Sequence, residues 1–286
     1  MAAGDLITRD WQCELNGLLL GEGTPYGVVN LDGIDDLPEI RSFDDPRAGD
    51  HGSYRGNDLA GSRVITVTLD IVATAGTTFD AAVNALQAAT VLQAVETAFA
   101  FQRPGKVKQQ ALARPRRRSL PNDLAFQLGF GTAVLQLAAS DPRLYAQALS
   151  TGVTGLPSAA GGLTFPATFP LTFGAVSSAN TILAVNAGNF GARPVLVMTG
   201  PVDTPTVLHT TSGRYLTFAI SLAAGDTLTV DLDAKSVLLN GTASRRSALS
   251  ADSSWWELAP GNNTVQYNAA ATTASTLTMT WRSAWL

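Results

Sequence analysis

Hydrolytic and metal centres need side chains that titrate or ligate near neutrality, and this sequence holds few of them. There are two histidines, His51 and His209, and one cysteine, Cys13. A nucleophilic triad would set a histidine between a serine or cysteine and a carboxylate. Ser53 lies close to His51, but no GxSxG elbow surrounds it. His, Cys and carboxylate residues do not cluster at metal-ligand spacing, so no metal site is expected. The glycines of GNFGARP and GSYRGNDLAG match neither GxGxxG nor the Walker pattern, so turns explain them and no cofactor is expected. A glycosidase needs two carboxylates across a cleft. Glu257 beside Trp256 is the one carboxylate with a suggestive neighbour, and an outward-facing strand position is the preferred explanation of it. No catalytic residue is therefore assigned.

Two tryptophans stand side by side in SSWWELAPGNNTVQY. In a regular strand adjacent side chains point to opposite faces, so they do not make one flat platform. Trp256 and Leu258 share a face that packs inward. Trp255 and Glu257 share the other, and are the candidates for contact with a glycan.

Charge is concentrated in two places. RPRRR supplies Arg114, Arg116, Arg117 and Arg118. No aromatic neighbours are present to stack bases, and the net charge is -4, so specific nucleic-acid recognition is not expected. The stretch from Asp32 to Asp45 holds Asp32, Asp35, Asp36, Glu39, Asp44 and Asp45. An acidic and a basic segment in one domain suit head-to-tail pairing between copies, which closes into a ring when the rotation permits. Solvated loops are the plain alternative for both.

The elements that must carry these residues are mostly strands. WQCELNGLLLG and TPYGVVNLDGI read as a hairpin, and Asp35–Ser62 as one long polar loop. RVITVTLDIV alternates cleanly, with Ile65, Val67, Leu69 and Ile71 on one face. FDAAVNALQAATVLQAVETAF has helical spacing through Phe79, Val83 and Leu86, extended by Val91, Val95 and Phe99. A solvated loop is the plain reading of the basic run, beside pairing between copies, and Leu124–Leu137 reads as two strands around Gly129 and Gly131. Asp141-Pro142, with Arg143 and Tyr145, marks a domain exit. The uncharged stretch Ala148–Ala175 reads as a linker into the next domain. From Asn180 onward short alternating strands follow one another, including RYLTFAISL, TLTVDL and SVLLNG, which is the pattern of a β-sandwich or jelly roll. His209 falls in an apparent turn.

With one cysteine no intrachain disulfide forms. MAAGDLITRDWQ lacks the basic and apolar regions of a secretory signal, and no apolar run reaches bilayer length. Folding in a cytosol without membrane insertion is the expectation.

The ordered series DHGSYRGNDLAGSRVITVTLDIVA, ALARPRRRSLPND, ASDPRLYA, NAGNFGARPVLVMTG, TSGRYLTFAISLAAGDTLTVDL, SSWWELAPGNNTVQY and WRSAWL resembles the distal tail proteins of long-tailed siphophages, in the minor tail protein group of phages of actinobacteria. The resemblance implies a mainly β fold in two domains. Residues 1–146 would be a tail-tube-like β-barrel or sandwich with one helix. Residues 147–286 would be a galectin-like or carbohydrate-binding-module-like sandwich. It further implies a six-fold ring at the distal end of the virion tail, between the tail-tube protein and the tail-associated hub or tip proteins, with no catalysis. A glycan-binding receptor module and a sugar hydrolase are the competing readings. A carboxylate pair is missing for the last, and fold analogy alone does not supply a sugar site.

Overall fold

The computed structural model of the chain describes residues 2–157, 180–270 and 274–286. It divides into two compact units, Met1–Ala148 with Trp285–Leu286, and Leu149–Ala284.

In the first unit the strands are β1 (Cys13–Leu15), β2 (Leu18–Leu20), β3 (Tyr26–Asp32), β4 (Ile40–Arg41), β5 (Asp45–Pro46), β6 (Ser53–Tyr54), β7 (Leu59–Ala60), β8 (Arg63–Val72), β9 (Thr97–Phe101), β10 (Gln109–Ser119), β11 (Phe130–Ala139) and β12 (Leu144–Ala146). Helices α1 (Phe79–Ala89) and α2 (Leu124–Gln127) complete it. Asn16 and Gly17, both at positive φ, turn β1 into β2. The strand order is β2-β1-β9-β10-β11-β8-β3. Among the described residues this path stays open, so the fold is a bent sandwich and not a closed barrel. The bend lies in β10. Gln109–Ala113 pair with β9, whereas Arg114–Ser119 pair with β11. Ile65, Val67, Leu69 and Ile71 of β8 meet Leu135 and Leu137 of β11 in one core that α1 covers with Phe79, Val83 and Leu86. Cys13 lies in this core, where burial pushes its thiol up to about 12, so it is an inert apolar filler.

Several expectations change here. Helix α1 ends at Ala89, because Thr90 turns its hydroxyl back on the Leu86 carbonyl (2.6 Å). Val91 and Val95 are exposed, and Phe99 belongs to β9. The segment read as a long loop is an arm: β4 pairs β7 and β5 pairs β6, making two short rungs of one extended hairpin. Local composition hides rungs two residues long. The basic run is strand, not loop. Leu124–Leu137 is a short helix, capped by Asp123, followed by one strand.

Arg63 holds the root of the arm. It is 1% exposed. Its Nε donates to the Pro142 carbonyl (2.7 Å) and its Nη1 to the carbonyls of Gly33 (2.6 Å), Ile34 (3.2 Å) and Asp36 (2.8 Å). Burial pushes the guanidinium pKa below its usual range, and nearby Asp36 and Asp35 act against that push. Gly33, at φ +82°, is obligatory in this arrangement, because a Cβ there would lie 2.0 Å from the Val64 carbonyl oxygen.

The second unit has β13 (Ser150–Gly155), β14 (Thr181–Asn186), β15 (Val195–Thr199), β16 (Val202–Asp203), β17 (Thr206–His209), β18 (Arg214–Thr217), β19 (Ser221–Leu222), β20 (Thr227–Asp231), β21 (Ser236–Leu239), β22 (Ala243–Ser244), β23 (Gly261–Asn268), β24 (Thr276–Trp281) and β25 (Ala284–Trp285), whose last residue returns to the first unit. One sheet runs β13-β24-β15-β20-β21-β22 and the other β14-β23-β17-β18. Leu196, Met198, Leu228, Val230, Leu277 and Met279 of the first are buried, as are Val207, Leu216, Val265 and Tyr267 of the second. The Trp281 indole N–H donates to the Val185 carbonyl (3.0 Å) and so ties one sheet to the other. The residues read as a linker already form β13 by Ser150, and from 158 to 175 they lie outside the described residues.

His209 corrects another expectation. It ends β17, is buried, and stacks on Trp256 with ring centroids 4.8 Å apart. The Asn263 amide nitrogen donates to the carbonyls of Ala259 and Gly261, which turns its oxygen to His209 Nε2 (3.0 Å). The network thus assigns the proton to Nε2, and Nδ1 accepts from the Ser212 hydroxyl (2.7 Å).

Two outcomes follow. Arg63→Ala leaves four carbonyls without their cation and costs roughly 3 kcal/mol or more, read as a fall in the urea midpoint of the first unit. Arg63→Lys restores only part, because an ammonium lacks the planar fork. For His209, burial, with Arg214 nearby, holds the folded pKa below the unfolded value of about 6.5, against the Asn263 hydrogen bond. The unfolded chain therefore takes up this proton first as pH falls. Stability from the neutral ring is complete above about pH 6.5 and declines below it. Melting curves between pH 7 and pH 5 should slope less in His209→Gln than in the parent.

Candidate functional site

The first candidate surface is the pair of open strand edges in the unit that carries the arm. The ladder β10-β11-β8-β3 is bounded by β3 on one side and by Arg114–Ser119 of β10 on the other, and neither edge has a further strand among the described residues. A regular strand would bury every second arginine of β10. A bulge between Pro115 and Arg117 shifts the register, so Arg116, Arg117 and Arg118 are all exposed.

The charged candidates then separate by what they touch. Arg118 turns inward and donates to the Gln87 carbonyl (3.1 Å) and the Thr90 hydroxyl (2.8 Å). Arg114 is half-buried, with its Nε enclosed and unpartnered. Arg116 and Arg117 have no partner among the described residues. Asp32 ends β3 and accepts from Asn30 (2.8 Å). Asp35 pairs with Arg103, not with the basic run. The Asp36 carboxylate accepts from the Gly33 N–H (3.3 Å), while its carbonyl serves Arg63. Asp44 braces the arm by accepting from the Gly56 N–H (2.8 Å), and Asp45 sits exposed in β5. The arm also exposes Leu37, Ile40, Phe43, Tyr54 and Leu59, with Arg47 over the Tyr54 ring. Sequence reading found the arm's acids but missed these apolar residues, which are scattered singly through a polar stretch.

The boundary candidates come together. The Asp141 carboxylate accepts from the Arg143 backbone N–H and guanidinium, both at 3.2 Å, and from the Tyr145 hydroxyl. Pro142 contributes its carbonyl to Arg63. Arg63 was the residue missed: its partners lie 27 to 79 positions away, and only a cation opening an alternating strand hinted at it.

In the second unit, Trp256 and Leu258 are buried as the alternation implied, although Trp255 and Trp256 lie outside any ladder and Leu258 makes only a bridge to Ala192. Trp255 is half-buried, with the Arg246 guanidinium 5.6 Å above its ring. It lines a cleft of about 430 Å³ with Glu257, Arg193, Arg214, Ser212 and Lys235. Arg193 bonds Glu257 through Nε and Asp233 through Nη1, both at 2.6 Å. Burial weakens the Arg193 charge, but these two carboxylates outweigh it and raise the guanidinium pKa. Gly191 leaves room for this carboxylate, since a Cβ would lie 2.2 Å from Glu257 Oε2 and push it aside. Glu257 is thus clamped in an ion pair, with no second carboxylate opposed to it among the cleft's lining residues. No group of three or more His, Cys, Asp or Glu residues able to hold a metal occurs among the described residues. No helix among them is long and apolar enough to cross a membrane.

Comparison with known proteins follows the same division. Residues 187–285 match the family model of the siphovirus-type tail component, C-terminal domain. No curated protein matches. The crystal structure of the Dit protein of phage SPP1, a hub of the adsorption apparatus in phages that infect Gram-positive hosts, superposes with a TM-score of 0.66 at 14% identity, over 96% of this chain and 99% of that one. The activated baseplate of phage p2 with calcium gives 0.49 at 9% identity, over 94% and 97% of the two chains. The C-terminal unit thus contains the stretch that matches the siphovirus-type tail component model, and the chain as a whole has the fold of the SPP1 Dit protein.

Proposed function

We propose that the protein is the structural distal tail hub of a long-tailed phage, placed at the distal end of the virion tail, where copies join head to tail in a ring. The two open edges of the ladder β10-β11-β8-β3 carry this reading. Successive strands in it are antiparallel, so its first and last strands run in opposite directions. Placing the β3 edge of one copy against the β10 edge of the next continues the antiparallel pattern, and rotation closes it without leaving an edge. Charge agrees with that join: Asp32 lies at the end of the β3 edge, and Arg116 and Arg117 project from the β10 edge. The arm, with exposed Ile40, Phe43 and Tyr54 beside Asp44 and Asp45, supplies a further surface for a neighbouring copy or for the tail-tube protein. Six copies is the number the family resemblance supplies. The tail-tube protein on one side and tail-associated tip proteins on the other are the neighbours this role requires. The role is structural: no catalytic constellation is needed for it.

Negative-stain images of the purified chain should show rings with a central lumen. Arg116→Glu with Arg117→Glu should weaken association about tenfold or more, since like charges would face each other at every join. Light scattering reads the shift toward monomer, with the far-UV circular dichroism spectrum unchanged. An oligomer of unaltered mass would remove the charged edges from the interface.

A further inference from the structure

The cleft beside Trp255 has a composition that ring assembly does not explain. Its volume of about 430 Å³ falls in the range of roughly 300–1,000 Å³ usual for small-ligand sites. Three kinds of group meet in its walls. The first is cationic. Lys235 is exposed at the β20–β21 turn, held at φ +50°, and its ammonium has no partner among the described residues. Arg214 spends Nη1 on the Trp255 carbonyl (3.2 Å) and keeps its remaining donors unassigned. The second is aromatic: Trp255, whose ring also carries the Arg246 guanidinium. The third is the carboxylate of Glu257, fixed in place by Arg193.

These groups select a ligand by elimination. A neutral apolar molecule would leave Lys235 and Arg214 unused and would desolvate Glu257 without compensation. A bare inorganic anion would gain from the two cations but would be repelled by Glu257 and would make no use of the indole. A molecule that carries an anionic group, hydroxyl donors and a flat C–H face uses all three. The geometry points to this cleft as a binding site for an acidic saccharide, a sugar bearing a carboxylate or a phosphate. Its anion would lie against Lys235 and Arg214, a hydroxyl would donate to Glu257, and its ring face would rest on Trp255. Beneath it, the His209–Ser212–Asn263 network and the buried Trp256 make a rigid floor. Rigidity lowers the ordering cost of binding.

The site is independent of the ring, so its failure leaves the hub reading intact. Titration calorimetry and tryptophan fluorescence on the full chain would use four probes: methyl glucuronide, glucose 1-phosphate, neutral methyl glucoside and inorganic phosphate. At least one acidic sugar should bind saturably, about tenfold tighter than both the neutral sugar and phosphate, and more weakly as salt rises. Which acidic sugar binds distinguishes a carboxylate ligand from a phosphate one. Lys235→Gln, at an exposed position, should erase the advantage over the neutral sugar, and Trp255→Leu the advantage over phosphate. Equal binding of the neutral sugar, equal binding of inorganic phosphate, or no saturable binding of either acidic sugar would each overturn the assignment.

Discussion

A single buried guanidinium determines how the N-terminal unit presents itself. Arg63 sits in an interior where an unpaired charge would be prohibitive, and it is tolerated because four carbonyls converge on it. Three of them belong to the chain just entering the arm and the fourth to Pro142, just past the last long strand. The first residue of β8 thereby fixes both the departure of the arm and the turn after β11. An apolar residue there would leave the carbonyls of Gly33, Ile34 and Asp36 without donors in a segment too irregular to pair them. The arm's direction is consequently a property of the core rather than of the arm's own weak two-residue rungs.

The same dependence on distant partners separates what was legible in the sequence from what was not. Ile65 to Ile71 and Leu277 to Trp281 declare their faces by alternation alone, and the structure places them accordingly. Helix α1 was legible at its start, where Phe79, Val83 and Leu86 recur at helical spacing; that Thr78 caps it is seen only in the structure. Its end was not, because Val91 and Val95 prolong the apolar spacing while β-branched side chains and the Thr90 hydroxyl favour release. His209 shows the limit from the other direction. Its neighbours Thr-Thr-Ser-Gly read as a turn, which they form, yet the ring itself is held by Trp256 and Asn263, far along the chain. Of the candidate cleft, Trp255 and Glu257 were visible as a pair. Arg193, Arg214 and Lys235 were not, since only the fold brings these three separate segments to one cleft.

The two units use charge in opposite ways. In the second, Arg193 pairs with Glu257 in the cleft wall and with Asp233 beside it, and the other charged groups lining the cleft, Arg214 and Lys235, are cationic. In the first, Asp35 and Arg118 are absorbed by Arg103 and by the end of α1, while Arg116 and Arg117 are displayed along a strand edge. Screening limits what displayed charges contribute to affinity but leaves them effective at short range, where they set orientation.

That distinction bears on how such a chain avoids premature association. A ladder with two open edges is a template for uncontrolled strand addition, and a flat apolar edge would recruit any extended segment. Here the bulge at Pro115 twists the β10 edge and brings three consecutive arginines to its surface, and Pro115 removes one donor from it. The β3 edge has its own bulge between Val28 and Asn30 and ends on Asp32. Like edges therefore repel and mismatched backbones pair poorly, whereas a β3 edge and a β10 edge meet with opposite charge. The bulges and charges that blunt both edges are thus the same features on which the proposed head-to-tail join rests.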